Sequence, residues 1–233
     1  AMPVLDQDRQ RAVLGLVVLN SGDYAREGGY GRPSDAALRF VHDVPRWLGV
    51  RSLVFQHMPL PQYYDVLKAM PANADNAIQG YRKYDAQYYV LDDDRTLPGG
   101  YLGEGVSCPD EDCGEFAALR DTDGYIGVVV GHDHRNGFVG SLNGMMLVAT
   151  PTCGFGSYGP AAANRAARLF EFDIRHPYSP RTQLLTFGEL VGKPSSNKAY
   201  TYAVEGQSNA ADGVNLLRKP GLLAGVAAAL KKI

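Results

Sequence analysis

Cysteine is scarce: Cys108, Cys113 and Cys153 are the only three in 233 residues, too few for a scaffold of this size built on disulfides. Apolar burial must therefore hold the fold, and 45% hydrophobic residues supply it. The Cys108/Cys113 pair could close a small loop in an oxidising compartment or stay reduced in the cytosol. As a zinc site it is poor, because the spacing is loose and no second pair completes a tetrahedron. Positive charge is not in surplus: 23 Lys and Arg stand against 25 Asp and Glu, which excludes the broad basic surface that attracts nucleic acid or anionic lipid. Long apolar runs are missing too. Val13 to Leu19 and Gly221 to Leu230 fall well short of the roughly 20 residues a membrane helix needs. No basic region followed by an apolar run opens the chain as given, so no signal peptide is expected, and Ala1 before Met2 reads as an expression scar. Internal repeats are lacking as well. A soluble globular protein is the expectation, its compartment open.

Against these absences stand several apolar, β-branched runs. Ala12 to Leu19 reads as a strand buried on both faces, as in an α/β sheet, and ends in the turn cluster Asn20-Ser-Gly-Asp23. Ser34 is placed to cap a helix over Asp35 to Leu48, whose Leu38, Val41, Val44 and Leu48 make one apolar face; Pro45 is expected to disturb its last turn. Arg51 to His57 is a second strand, broken by Met58-Pro-Leu-Pro61. A helix is expected from about Gln62, and an ordered insertion or long functional loop from Pro71 to Asp112. A helix over Gly114 to Arg120 precedes a strand at Tyr125 to Val130, and further strands at Met145 to Thr150 and Arg168 to Ile174 point to a second sheet. Residues 192 to 220 are polar and irregular, and Leu222 to Ile233 reads as a closing helix.

The chemistry concentrates in histidine. Of five histidines, His57, His132 and His134 follow apolar strands directly, and in open α/β sheets ligands collect beyond the carboxyl ends of strands. Imidazole is also the commonest neutral metal ligand. In Gly131-His132-Asp133-His134 the two rings are separated by one residue, so on an extended segment they point the same way.

Val128-Val-Val-Gly-His-Asp-His-Arg-Asn136 resembles the last metal-binding block of the calcineurin-like metallophosphoesterases, where a strand delivers Gly-His-x-His to a dinuclear centre. Phe55-Gln-His-Met-Pro-Leu-Pro-Gln-Tyr63 is similar to the preceding block of the purple-acid-phosphatase-related branch. Leu19-Asn-Ser-Gly-Asp-Tyr24, Cys113-Gly-Glu-Phe116, Gly154-Phe-Gly-Ser-Tyr-Gly159 and Arg165-Ala-Ala-Arg168 extend the resemblance over about residues 12 to 175. It implies an α/β fold of the calcineurin-like αββα sandwich type, incomplete at its amino-terminal half. Residues 1–191 would be the carboxyl-terminal portion of that domain and 192–233 an irregular tail and closing helix. It further implies that His57 and His132 bind one metal and His134 the other. Asn136 either orients substrate or stiffens the turn, and Tyr158 sits in a glycine-aromatic loop flanking the substrate. That loop, Gly154 to Gly159, is no nucleotide fingerprint, because no strand-to-helix unit carries it.

The family's opening motifs, Asp-x-His, Gly-Asp and Gly-Asn-His, have no convincing counterpart here. Gly22-Asp23 lacks an upstream Asp-x-His, and His42-Asp43 falls inside the expected helix. Neutral histidines without carboxylates suit a pair of hard divalent cations poorly, whereas one softer ion such as zinc remains open. The implied cofactors are thus divalent metals, dinuclear iron, manganese or zinc in an intact site and a single zinc here. The implied function is metal-dependent hydrolysis of phosphoric esters, weak or absent in the chain alone, with a missing half or second chain as partner; a non-catalytic metal-binding or interaction module is the alternative.

Overall fold

The computed structural model describes residues 1–191, so the expected tail and closing helix lie outside the described residues. The chain runs β1 (Met2–Leu5), β2 (Ala12–Val18), α1 (Asp35–Leu48), β3 (Ser52–Phe55), a 3-10 helix (Pro61–Val66), β4 (Leu67–Met70), β5 (Ile78–Gln79), β6 (Tyr88–Leu91), β7 (Tyr101–Leu102), α2 (Glu115–Asp121) and β8 (Tyr125–Val130). It continues through β9 (Asn136–Gly137), β10 (Val139–Leu142), β11 (Met145–Ala149), β12 (Ala166–Glu171), β13 (Arg181–Thr186) and the short α3 (Phe187–Val191). No helix among the described residues is long and apolar enough to cross a membrane.

A mixed six-stranded sheet in the order β1-β2-β3-β8-β11-β10 forms the centre of an α/β fold. Strands β2, β3, β8 and β11 are mutually parallel, while β1 and β10 close the two edges antiparallel. Buried Val17, Val54, Val128 and Leu147 face the larger core with Val41 and Val44 of α1 and Phe116 and Leu119 of α2. On the opposite face Leu14, Leu53, Val129 and Val148 meet Phe170 and Phe172. Between them Ile126 is an extra residue in β8, since Ser52 pairs with Tyr125 but Leu53 with Gly127. This bulge breaks the alternation, so Tyr125 turns toward α1 and Ile126 toward Phe170 and Phe172.

Helix α1 has the bounds its sequence dictates: Ser34 Oγ accepts from Ala37 N at 3.2 Å, and Gly49 at φ 66° ends it. Pro45 is accommodated within the helix. Having no N–H, it leaves the Val41 carbonyl free, and the Tyr125 hydroxyl donates to that oxygen at 2.5 Å. Gly124 makes the approach feasible, since a Cβ there would lie 2.1 Å from the Pro45 ring.

Several expectations change. The helix from Gln62 is instead a six-residue 3-10 helix that opens on Pro61, a residue whose fixed φ suits a first helical position. Of the two readings for Pro71 to Asp112, the ordered insertion matches what is seen: β5 and β6 within it join β4 in a three-stranded sheet, and β7 pairs with β9. Strand β11 belongs to the central sheet, so the second sheet reduces to the two-stranded β12-β13 hairpin, held by Phe170 edge-on to Phe55 at 6.2 Å. Cys108 and Cys113 are free thiols, Cys108 buried in the larger core.

One core feature makes stability depend on pH. Glu115, the first residue of α2, is 4% exposed, and its Oε1 has no hydrogen-bond partner. Burial pushes its carboxyl up from 4.5 to about 7, against the pull of Gln56. The folded chain thus keeps a proton that the unfolded chain has released, so stability falls as pH rises from about 4.5 through about 7. Glu115→Gln is expected to exceed the parent by about 2–3 kcal/mol near pH 8 and by under about 0.5 kcal/mol near pH 4.5. Urea unfolding at both pH values measures this; an equal difference at each would refute it.

Candidate functional site

Strands β3 and β8 are parallel neighbours, so the residues just past their carboxyl ends emerge side by side. The His57 carbonyl accepts from His132 N at 3.1 Å, and His132 Nδ1 and His57 Nε2 stand 3.0 Å apart with the rings crossed at 81°. Burial, then His57 and His134, depress the His132 pKa from 6.5 to about 4. His132 is therefore neutral at neutral pH, with a lone pair to offer. The loop beyond His57 is held from β2: Ser21 Oγ, in the Asn20-Ser-Gly turn, accepts from Met58 N at 2.9 Å.

His134 takes a different direction. Its Nδ1 lies 2.7 Å from the Tyr158 carbonyl, which can only accept, so Nδ1 carries the proton and Nε2 is left as acceptor in the neutral ring. The Tyr158 ring stacks on the imidazole at 4.3 Å, and its hydroxyl donates to Glu104 Oε1 at 3.2 Å. A carbonyl on one ring nitrogen is the usual arrangement for a histidine whose other nitrogen binds a metal. Glu104 also accepts from Arg135 N at 2.9 Å, and burial raises its pKa. The loop presenting Tyr158 is shaped by Arg165, 1% exposed, which donates to the carbonyls of Gly154 and Ser157.

Asn136 is fully buried. Its Oδ1 accepts from Gly103 N at 3.0 Å and Glu104 N at 3.1 Å, while Nδ2 donates to Asp133 Oδ2 at 3.3 Å. Of the two roles open to it, stiffening the turn is the one these bonds perform. Asp133 faces inward too, accepting from Ser107 N, and burial, then Glu104, push its carboxyl up to about 7. The turn between the histidines is thus docked onto residues 103–107 from within, which leaves the imidazoles outermost.

The structure brings two of the three sequence-identified histidines into contact and turns the third toward Tyr158. Among the described residues no three or more His, Cys, Asp or Glu side chains gather as a metal-holding group. His57 and His132 would supply two of the four donors that a single tetrahedral ion takes. Two imidazole nitrogens on a tetrahedral zinc, each at 2.0–2.1 Å, stand about 3.3 Å apart, close to the 3.0 Å between His57 and His132. A pair of hard cations is not matched, since the carboxylates of Asp133 and Glu104 are engaged with backbone amides. Glu104 and the aromatic neighbour Tyr30, whose ring meets His132 edge-on at 4.3 Å, were not legible in the sequence. Neither sits in a motif, and Tyr30 reaches the site from the distant turn after β2.

No family model and no solved structure matches the chain. The chain is similar to the protein named probable inactive purple acid phosphatase 29 of Arabidopsis thaliana, 26% identical over 182 residues that cover 71% of this chain and 40% of the relative. It therefore spans less than half the length of that curated relative. The similarity is distant, and it suggests a metallophosphoesterase-related, phosphoesterase-derived chain with a central mixed α/β sheet.

Proposed function

We propose that this chain supplies the imidazole side of a metal-dependent phosphoric-ester hydrolase centre, with turnover weak or absent when the chain is alone. The observation that carries this reading is the His57–His132 contact: two imidazoles from separate parallel strands, 3.0 Å apart at the sheet's carboxyl edge. Histidine rings meet there because the topology brings the strand ends together. A calcineurin-like sandwich is supported by α1 and α2 on one face of the central sheet and the β12-β13 hairpin on the other.

In this reading His57 and His132 bind one soft divalent ion, and His134 Nε2 is the nearby acceptor held ready by Tyr158 and Glu104. Bound, the ion would neutralise charge on the phosphoryl group and act as a Lewis acid. A second, harder ion needs oxygen ligands, which a missing half or second chain would have to bring. The alternative of a non-catalytic, phosphoesterase-derived metal-binding module is favoured by the engagement of Asp133 and Glu104 elsewhere and by the word inactive in the relative's name.

Cobalt(II), which reports tetrahedral nitrogen coordination by its visible absorption, tests the reading with the full chain. Cobalt bands together with broadening of the phosphorus resonance of phenyl phosphate, both lost in His57→Ala, are expected. Metal binding without phosphate broadening would leave the non-catalytic module. Fast turnover of a chromogenic phosphodiester, abolished by chelator, would show that the chain needs no further half.

A further inference from the structure

Among the large apolar side chains of the described residues, Tyr24 is the most exposed, at 78%. Its position is not that of a loose surface ring. Tyr24 and Tyr30 pair as an antiparallel bridge, Gly31 N donates to Asp23 O at 2.5 Å, and Ala25 N and Gly28 N close the turn between them. Gly28 and Gly29 take φ of 90° and 80°, which suits glycine alone without strain. Beneath them lies Arg82, so near that a Cβ on Gly29 would come within 2.6 Å of its Nε, and Arg82 is itself forked onto Asp110 at 2.9 and 2.7 Å. The turn is therefore braced by Arg82, which fixes the backbone that carries Tyr24.

The Tyr24 ring lies 5.7 Å from Tyr30, centre to centre, and Tyr30 is stacked at 5.7 Å with Tyr81 and edge-on at 4.3 Å to His132. A continuous aromatic shelf thus leads from solvent to the imidazole pair. Its rim is charged with both signs, Asp23 and Glu27 against Arg26, so it offers no net attraction for a second anionic group. What it offers is a fixed π-surface beside a nitrogen site, and the groups that gain from such a surface are planar rings.

We propose that the shelf formed by Tyr24 and Tyr30 selects phosphoric esters whose alcohol portion carries a planar aromatic ring, stacked on Tyr24 while the phosphoryl group sits at His57 and His132. This rests on the hydrolase-centre reading above, and it adds the substrate class. Because the shelf is preformed, the ring pays little ordering cost on binding. Tyr24 acts as a specificity residue with no part in holding the metal.

The test compares phenyl phosphate with ethyl phosphate binding to the zinc-supplemented full chain, followed by NMR titration in the parent, Tyr24→Ala and His132→Ala. Phenyl phosphate is expected to bind about fivefold more tightly than ethyl phosphate, the order of one aromatic stacking contact. Tyr24→Ala should erase that preference while leaving ethyl phosphate unchanged, and His132→Ala should weaken both ligands. At 78% exposure, truncating Tyr24 does not threaten the fold. Equal binding of the two phosphates by the parent, or a preference that survives Tyr24→Ala, would overturn the shelf and leave the hydrolase reading standing. Binding of neither phosphate would overturn both.

Discussion

Replacing His132 with alanine is expected to weaken zinc binding by at least about 100-fold, more than the 10- to 100-fold seen when only an outer partner of a metal ligand is lost. The reason is geometric. His132 faces His57 across 3.0 Å, and its depressed pKa of about 4 keeps the ring neutral and able to coordinate at neutral pH. With one member gone, His57 is a lone exposed imidazole that competes poorly with water. His134→Ala should cost about tenfold or less, because its ring is tied to the Tyr158 carbonyl and stands outside the pair. Calorimetric titration of zinc into parent and variants, with circular dichroism to confirm folding, reads both effects. A single-site signal is expected in the parent. If His132→Ala keeps the parent's affinity, or if His134→Ala loses more than His132→Ala, the pair is not the metal site.

The second large effect concerns stability. Phe138 is completely buried, one residue beyond β9 and thus just after the turn that carries the histidines, and its ring packs edge-on to Tyr63 at 6.2 Å. Tyr63 is itself fully buried, and its hydroxyl donates to the Val128 carbonyl at 2.9 Å, so Phe138 sits against the group that braces β8. Phe138→Ala is expected to cost about 3–5 kcal/mol, the lost transfer energy plus the cavity left behind. That is a large part of the 5–15 kcal/mol typical of a folded domain. Guanidinium unfolding should show a lower midpoint with an unchanged slope. A loss below about 1 kcal/mol would mean that the surrounding side chains collapse into the space, and the rigidity assigned to this region would be wrong.

Local order was written in the sequence wherever one segment carries its own instructions. Helix α1 runs over Asp35–Leu48 as its Ser34 cap and apolar spacing require, and β8 spans the Tyr125–Val130 run read from it. The strand-end position of His57 and His132 was equally plain, because a break in an apolar run marks where a strand stops. Strand β1 was not legible: Met2–Leu5 is exposed along its length and has too few residues to show a period. Nor was the small β4-β6-β5 sheet, whose strands are too short to show a period.

Which side chains meet was decided by the tertiary structure. His57 and His132 touch because β3 and β8 are parallel neighbours, and strand order is a property of long-range pairing that no local pattern carries. His134 parts from them because the Tyr158 carbonyl, 24 residues on, offers its Nδ1 an acceptor. Asn136 turned inward because the amides of Gly103 and Glu104 needed partners. The sequence by itself determined the elements and the chemistry available at their ends, since propensity and periodicity act over a few residues. Only the fold determined the pairing, since buried amides, carbonyls and charges must be satisfied by whatever distant groups packing brings within reach.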